Sequence, residues 1–196
     1  MKKIVSILFI ILVGFTTNLI AEDSQSIKRI SVGEKNAKIT IIAYESLTCG
    51  HCADFHENVY PSLKKDFIEK GLVRIEFRHF PLDIAAFNAS KIGQCNNDGN
   101  ADVLNILFSG QKKWARGKTP EEATKYLKKF LEGEGVNLDF EKCLNDKNIE
   151  DYILNDRIEG VKKFKVNATP TIIINDKKFE KTLNYKNLKK YLEKLI

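Results

Sequence analysis

Cys49-Gly50-His51-Cys52 is the segment of this chain whose residue types and spacing can do chemistry on their own. Two thiols separated by two residues can close a small strained disulfide ring and open it again. If the first thiol sits at a helix start, free N–H groups and the helix dipole favour its thiolate. A thiolate of low pKa is also a good leaving group, so a disulfide containing it passes readily to another thiol. His51 can add positive charge or a hydrogen bond. Cys52, one turn into the helix, is expected to be the buried resolving partner. The competing assignments are a zinc site drawing on Cys49, His51, Cys52 and His56, and a short structural disulfide. Structural zinc usually takes four ligands, often from two knuckles, and no second Cys-x-x-Cys occurs.

The flanking elements favour exchange chemistry. Lys38-Ile39-Thr40-Ile41-Ile42-Ala43-Tyr44 reads as a buried central strand running into the motif. Beyond it Cys52, His56, Val59, Leu63 and Phe67 share one helical face, with Pro61 expected to kink the helix. Gly71 ends the helix, and Leu72 to Phe77 alternates like a second strand. Near the other end Thr169-Pro170 leads into Thr171-Ile172-Ile173-Ile174. Proline avoids central strands, and an X-Pro bond entering a strand is a common place for a cis peptide.

Between these halves, Ile84 to Phe164 is helical in pattern. One segment carries Ala85, Ala89, Ile92 and Cys95; another runs from Ala101 to Trp114; a third opens on the capping box Thr119-Pro120-Glu121-Glu122. A short segment covers Phe140 to Leu144. The last shows Ile149, Ile153, Val161 and Phe164, with Gly160 as its weak point. A brief strand-like piece at Ile27 to Val32 and a closing helix from Asn187 to Leu195 complete the pattern.

Composition bounds the remaining options. The 196 residues are 43% hydrophobic and 30% charged, ordinary for a globular protein. The net charge of +6 comes from 32 Lys+Arg against 26 Asp+Glu, but only Arg29, Arg74, Arg78, Arg116 and Arg157 are arginines. Recognition of phosphates and bases leans on arginine forks, so the lysines read as a solvated surface and no nucleic-acid partner is expected. The start has a different logic. Met1-Lys2-Lys3, an apolar run from Ile4 and a small residue at Ala21 before Glu22-Asp23 form a secretory signal pattern, with cleavage expected after Ala21. The alternative is an uncleaved anchor. Export places the thiols where disulfides persist.

Taken together, these residues resemble the thioredoxin superfamily and specifically the DsbA family of exported thiol oxidases. The resemblance rests on Tyr44 to Cys52, on Phe77-Arg78-His79-Phe80-Pro81-Leu82, on the helical insertion and on Ala168-Thr169-Pro170-Thr171. It implies an α/β thioredoxin fold with an inserted all-helical domain: a signal peptide at 1–21, fold segments at 22–83 and 165–196, and the insertion at 84–164. It also implies Cys49 as the nucleophile, Cys52 as its partner, and a cis Pro170 opposite them. Thr169 would pair its backbone with bound substrate as an added strand. The resemblance also implies a low pKa for the first thiol and an oxidising disulfide.

Two departures stand out. Many family members carry a buried acid six residues before the first cysteine, where this chain has Ala43. Glu45 lies on the same strand face and is the candidate to take over proton handling, a solvent-facing carboxylate being the alternative. Gly50-His51 is more like the dipeptide of protein disulfide isomerases than the commoner Pro-His of this family.

Cys95 and Cys143, 48 positions apart on apolar helix faces, resemble the arrangement of some DsbA-like proteins with a Leu-Thr-Cys active-site sequence. A structural disulfide is expected there, two buried free thiols being the alternative. His79 and His56 read as packing histidines, the latter able to tune Cys52, and Trp114 as core or groove lining.

The expected function is oxidation of reduced, cysteine-containing proteins in the periplasm without metal or other cofactor. The resemblance implies reoxidation by a membrane quinone-linked partner of the DsbB type. Isomerase or reductase action, and a thiol- or zinc-holding chaperone without turnover, are the other functions open to the motif. The short lead before the central strand leaves little room for a dimerising arm, so a monomer is expected.

Overall fold

The computed structural model describes residues 26–196; the expected signal segment lies outside them. Five strands form one sheet in the order β1-β3-β2-β4-β5. At its centre β2 (Ile39–Glu45) runs parallel to β3 (Val73–His79) and antiparallel to β4 (Thr171–Ile174). β2 is covered on both faces, which explains its nearly unbroken apolar run. β3 instead alternates. Val73, Ile75 and Phe77 point into the core, while Arg74, Glu76 and Arg78 form a charged row that ends on Glu159.

The edge strand β1 (Ser31–Val32) is shorter than the expected Ile27 to Val32. The residues before it spend their hydrogen bonds on the insertion: Lys28 N–H donates to Asn97 Oδ1 and Lys28 C=O accepts from Gln94 Nε2. The opposite edge, β5 (Lys177–Lys178), follows a turn in which Asn175 and Asp176 both have positive φ, as tight hairpins with native twist require.

The helix after the motif is interrupted for one residue, Val59, two positions before Pro61. The Val59-to-Phe55 and Leu63-to-Val59 hydrogen bonds carry it across, in keeping with the kink expected there. α1 (Gly50–Asn58) stops at Val59, α2 (Tyr60–Leu63) restarts with Pro61 in its first turn, and a π-helical turn covers Lys64–Ile68. Proline lacks an N–H, so it fits a first turn where that donor has no helical partner anyway.

The insertion comprises α3 (Ile84–Gln94), α4 (Asp102–Ser109), α5 (Gln111–Trp114), α6 (Pro120–Gly133), α7 (Phe140–Asn145) and α8 (Lys147–Phe164). The expected single segment from Ala101 to Trp114 is two helices, interrupted at Gly110. Any side chain there would collide with the Phe130 ring, 1.9 Å from an added Cβ. Thr119 caps α6 through the Glu122 N–H, while the Glu122 carboxylate takes the Lys118 N–H.

One buried cluster runs without interruption from Ile41, Phe55 and Ile75 of the sheet side to Leu107, Trp114 and Leu127 of the insertion. A second, on the other sheet face, joins Ile42, Tyr44 and Ile173 to Phe80, Phe164 and Val166. Val161, expected on the buried face of α8, is exposed. Gly160 takes its place: its Cα lies so close to Tyr44 that an added Cβ would be 2.8 Å from Cε1. The chain closes with α9 (Tyr185–Leu192), capped by Asn184.

Candidate active site

β2 ends at Glu45, and the next four residues carry the chain to Cys49, which is the N-cap of α1 in extended conformation. The Cys49 carbonyl accepts from the Cys52 and Ala53 N–H groups and starts the helix. The loop is tied down from several sides. Cys49 N–H donates to Ser46 C=O, Thr48 Oγ1 donates to Asp83 Oδ2 at 2.7 Å, and Leu82 N–H donates to Ser46 Oγ. From the insertion, Gln111 Nε2 donates to the carbonyls of Leu47 and Cys49, at 2.8 and 3.0 Å.

Across from the thiols, the Thr169–Pro170 peptide is cis, and Cys49 Sγ lies 3.3 Å from the Thr169 carbonyl oxygen, which only its protonated form can use as acceptor. Cys49, Cys52, Thr169 and Pro170 thus meet in one place although Cys52 and Thr169 are 117 positions apart.

The two sulfurs are unlike. Cys49 is half-buried and Cys52 fully buried, and both are free thiols. A hydrogen bond from the Cys52 thiol holds the Cys49 thiolate. The backbone N–H groups of Cys52 and His51 add to it. Against the opposing effect of burial they lower Cys49 from 9.0 to about 5. Burial pushes Cys52 far up, reinforced by its hydrogen bond to Cys49 and by the nearby Glu45 carboxylate. The pair therefore holds one stabilised thiolate beside one reluctant thiol.

Of the tuning candidates, His51 is exposed and acts on Cys49 through its main-chain N–H. Glu45 is buried, not solvent-facing, and its Oε2 lies 2.9 Å from His56 Nε2. His56 stacks on Phe108 of α4 with ring centroids 4.0 Å apart. His79 is buried against Gln94 and Asp156, and burial lowers its pKa. Trp114 is core, its indole N–H donating to Leu107 C=O. Cys95, the C-cap of α3, is bonded to Cys143 of α7 with 5.5 Å between their Cα atoms.

The role of Gln111 and the Thr48–Asp83 tie have no counterpart in the sequence pattern, because nothing in local spacing marks a glutamine 62 residues from its acceptor. Among the described residues no group of three or more His, Cys, Asp or Glu is placed to hold a metal, and no helix is long and apolar enough to cross a membrane.

A thiolate and a buried thiol set against a cis-proline strand can form, pass on and reform a disulfide. Comparison with known proteins agrees with that chemistry. The thioredoxin family model described as "Thioredoxin" matches residues 25–194. The crystal structure of alpha-DsbA1 from Wolbachia pipientis is 31% identical, with a TM-score of 0.75 over 85% of this chain and 90% of that one. Disulfide bond formation protein D of Bacillus subtilis is 27% identical over 176 residues, 83% of this chain and 75% of its own. A Rickettsia bellii relative is 27% identical over 146 residues, and this chain spans only 56% of that protein's length. The chain belongs to the thioredoxin family, among its DsbA-like members.

Proposed function

We propose that this chain is a thiol:disulfide oxidoreductase working in the oxidising direction on reduced, cysteine-containing proteins in the periplasm. The observation that carries the proposal is the contrast between a Cys49 thiolate favoured down to about pH 5 and a buried Cys52 thiol. Stabilising the reduced pair makes its disulfide a stronger oxidant.

In the forward reaction a substrate thiolate attacks Cys49 Sγ of the Cys49–Cys52 disulfide. The Cys49–Cys52 bond breaks, Cys52 leaves with the electron pair, and a proton makes it a thiol. A second substrate thiolate then attacks the substrate sulfur of the mixed disulfide, and Cys49 leaves as a thiolate. Thr169, beside Cys49 Sγ, pairs its backbone with the substrate segment, and cis Pro170 shapes that surface. Cys95–Cys143 stays closed as a structural bond. A quinone-linked membrane partner of the DsbB type, acting as two-electron acceptor, restores the Cys49–Cys52 disulfide. The chain acts as a monomer delivered by the signal segment at 1–21.

The test is oxidation of a reduced two-cysteine peptide by the oxidised chain, measured beside reduction of insulin by the reduced chain. Fast stoichiometric oxidation with slow insulin reduction is the expected pattern. The opposite pattern would assign the chain to reduction. A Cys52→Ala variant is expected to accumulate mixed disulfides through Cys49.

A further inference from the structure

Five arginines occur in the chain, and the fold uses three of them in ion pairs. Arg29 pairs with Asp156, Arg74 with Glu76, and Arg78 with Glu76 and Glu159. Arg116 and Arg157 differ. Both are exposed, and neither guanidinium has a hydrogen-bond or ion-pair partner among the described residues. Each lies instead over an aromatic ring, Arg116 4.4 Å from the centroid of Tyr126 and Arg157 5.3 Å from that of Phe80. Stacking steadies the guanidinium plane and leaves its N–H fork, which matches a carboxylate, without an acceptor.

Both arginines sit beside the site. Asp83 and Ile84 form a wall shared by two hollows. One, of about 460 Å³, carries Arg116, Lys118 and Thr48; the other, of about 210 Å³, carries Arg157, Leu82 and Leu154. The ridge between them is apolar and open, with Leu82 52% and Ile84 61% exposed. Hydrogen bonds from Leu82 to Ser46 and from Thr48 to Asp83 fasten it to the loop that presents Cys49. Asp83 is the one carboxylate on either wall among the described residues, and both its oxygens are engaged, Oδ1 by the Ala86 N–H and Oδ2 by Thr48. Glu121 and Glu122, at the start of α6, turn to Thr119 and to the Lys118 N–H. No acid on these walls therefore answers the two arginines.

We propose that Arg116 and Arg157 are carboxylate anchors on the two flanks of an apolar ridge, selecting reduced protein segments that carry acidic side chains near the cysteine to be oxidised. The proposal rests on the thiol-exchange function above and names its substrate class. An apolar side chain of the segment covers Leu82 and Ile84. Carboxylates within about six residues of its cysteine, about 20 Å of extended chain, reach one guanidinium or the other. Exposed charges of this kind act more on encounter and register than on affinity. The net charge of +6 draws anionic chains toward the whole surface. The two arginines give that attraction a place next to Cys49.

The test uses the oxidised intact chain and reduced two-cysteine peptides that differ only in having Asp, Ser or Lys beside the cysteines. Each oxidation rate is divided by the rate of the same peptide with neutral bis(2-hydroxyethyl) disulfide, which removes the effect of neighbouring charge on the peptide thiols. The Asp peptide is expected to react about 10-fold faster than the Lys peptide at low salt, and the gap to close at about 0.5 M salt. Arg116→Glu combined with Arg157→Glu should abolish or invert the preference while the Cys49 titration stays at about 5. Arg116→Gln combined with Arg157→Gln, which adds no new charge, should shrink it. Lys177→Glu combined with Lys178→Glu makes the same change in net charge as the arginine reversal, but on β5 at the sheet edge beyond β4; it should leave most of the preference. Equal rates for the Asp and Lys peptides in the wild type would overturn the proposal. So would a preference that survives the arginine reversal, or one that the β5 variant loses to the same extent. A wild-type chain that oxidises none of the peptides removes the oxidoreductase proposal together with this one, whereas an active wild type without the acid preference removes this one alone.

Discussion

The side-chain amide of Gln111 donates to the carbonyl oxygen of Cys49 at 3.0 Å, so a residue of the helical insertion holds the residue that carries the nucleophile. The same nitrogen serves Leu47 at 2.8 Å. The loop that presents Cys49 is thereby clamped between the end of β2 and the start of α5. Its position depends on the insertion as much as on the sheet.

Gln111→Leu removes the donor: the Cys49 carbonyl keeps the Cys52 and Ala53 N–H groups, while the Leu47 carbonyl is left facing an apolar side chain. Leaving buried acceptors unpaired costs about 1–3 kcal/mol. The variant should lose about that much stability in urea unfolding, and its peptide oxidation should slow as the loop loosens. Unchanged stability and rate together would show that the clamp is dispensable.

The Cys49 titration predicts a pH signature in the reduced protein. Its folded value of about 5 lies below the ordinary 9.0. The resulting stabilisation is complete above about 9 and declines as pH falls, vanishing below about 5. Above 9 the raised Cys52 works the other way, because only the unfolded chain ionises it readily. Thiolate absorbance at 240 nm should therefore titrate near pH 5 and disappear in Cys49→Ser. In Cys52→Ala the midpoint should move upward, since the Cys52 hydrogen bond is the largest cause of the shift. The extra stability of the reduced over the oxidised form should fade between pH 9 and 5.

Replacing both Cys95 and Cys143 by alanine opens a covalent link across 48 residues. Chain-entropy arguments put the loss at about 2–4 kcal/mol. Thermal unfolding should shift downward accordingly, while the 240 nm titration stays near pH 5, because the link lies away from the Cys49–Cys52 pair.

Gly160→Ala tests which effect dominates on α8. Helix propensity alone favours alanine by about 1 kcal/mol. The new methyl, however, would sit 2.8 Å from the Tyr44 ring, which is fully buried and unable to step aside. Overpacking of this kind costs about 1–3 kcal/mol. A net loss of stability is expected, and a gain would show that the β2–α8 contact has slack.

How much of this was legible in the sequence follows from the range of the forces involved. The Cys49-Gly50-His51-Cys52 spacing, the apolar run of β2, the alternation of β3 and the Thr119 cap are set by neighbours within a few residues, and local patterning displays them. Thr169-Pro170 could be marked only as a special strand entry; the fold decided that it faces Cys49. Other features depend on partners far along the chain. Gly160 reads locally as a weak helix position, yet Tyr44 lies against it, and Val161 lacks the buried place its spacing suggests. Pro61 marked a disturbance, but the restart at α2 belongs to the packing around it. Glu45 could have faced solvent or core with equal sense on its strand. Its burial against His56, and the Gln111 amide on the Cys49 loop, exist only because the insertion closes over the end of the sheet. The sequence alone determined that two thiols of this chain were set at a helix start after a buried strand. The tertiary structure decided which thiol is stabilised as thiolate, because burial and hydrogen bonding act across space and not along the chain.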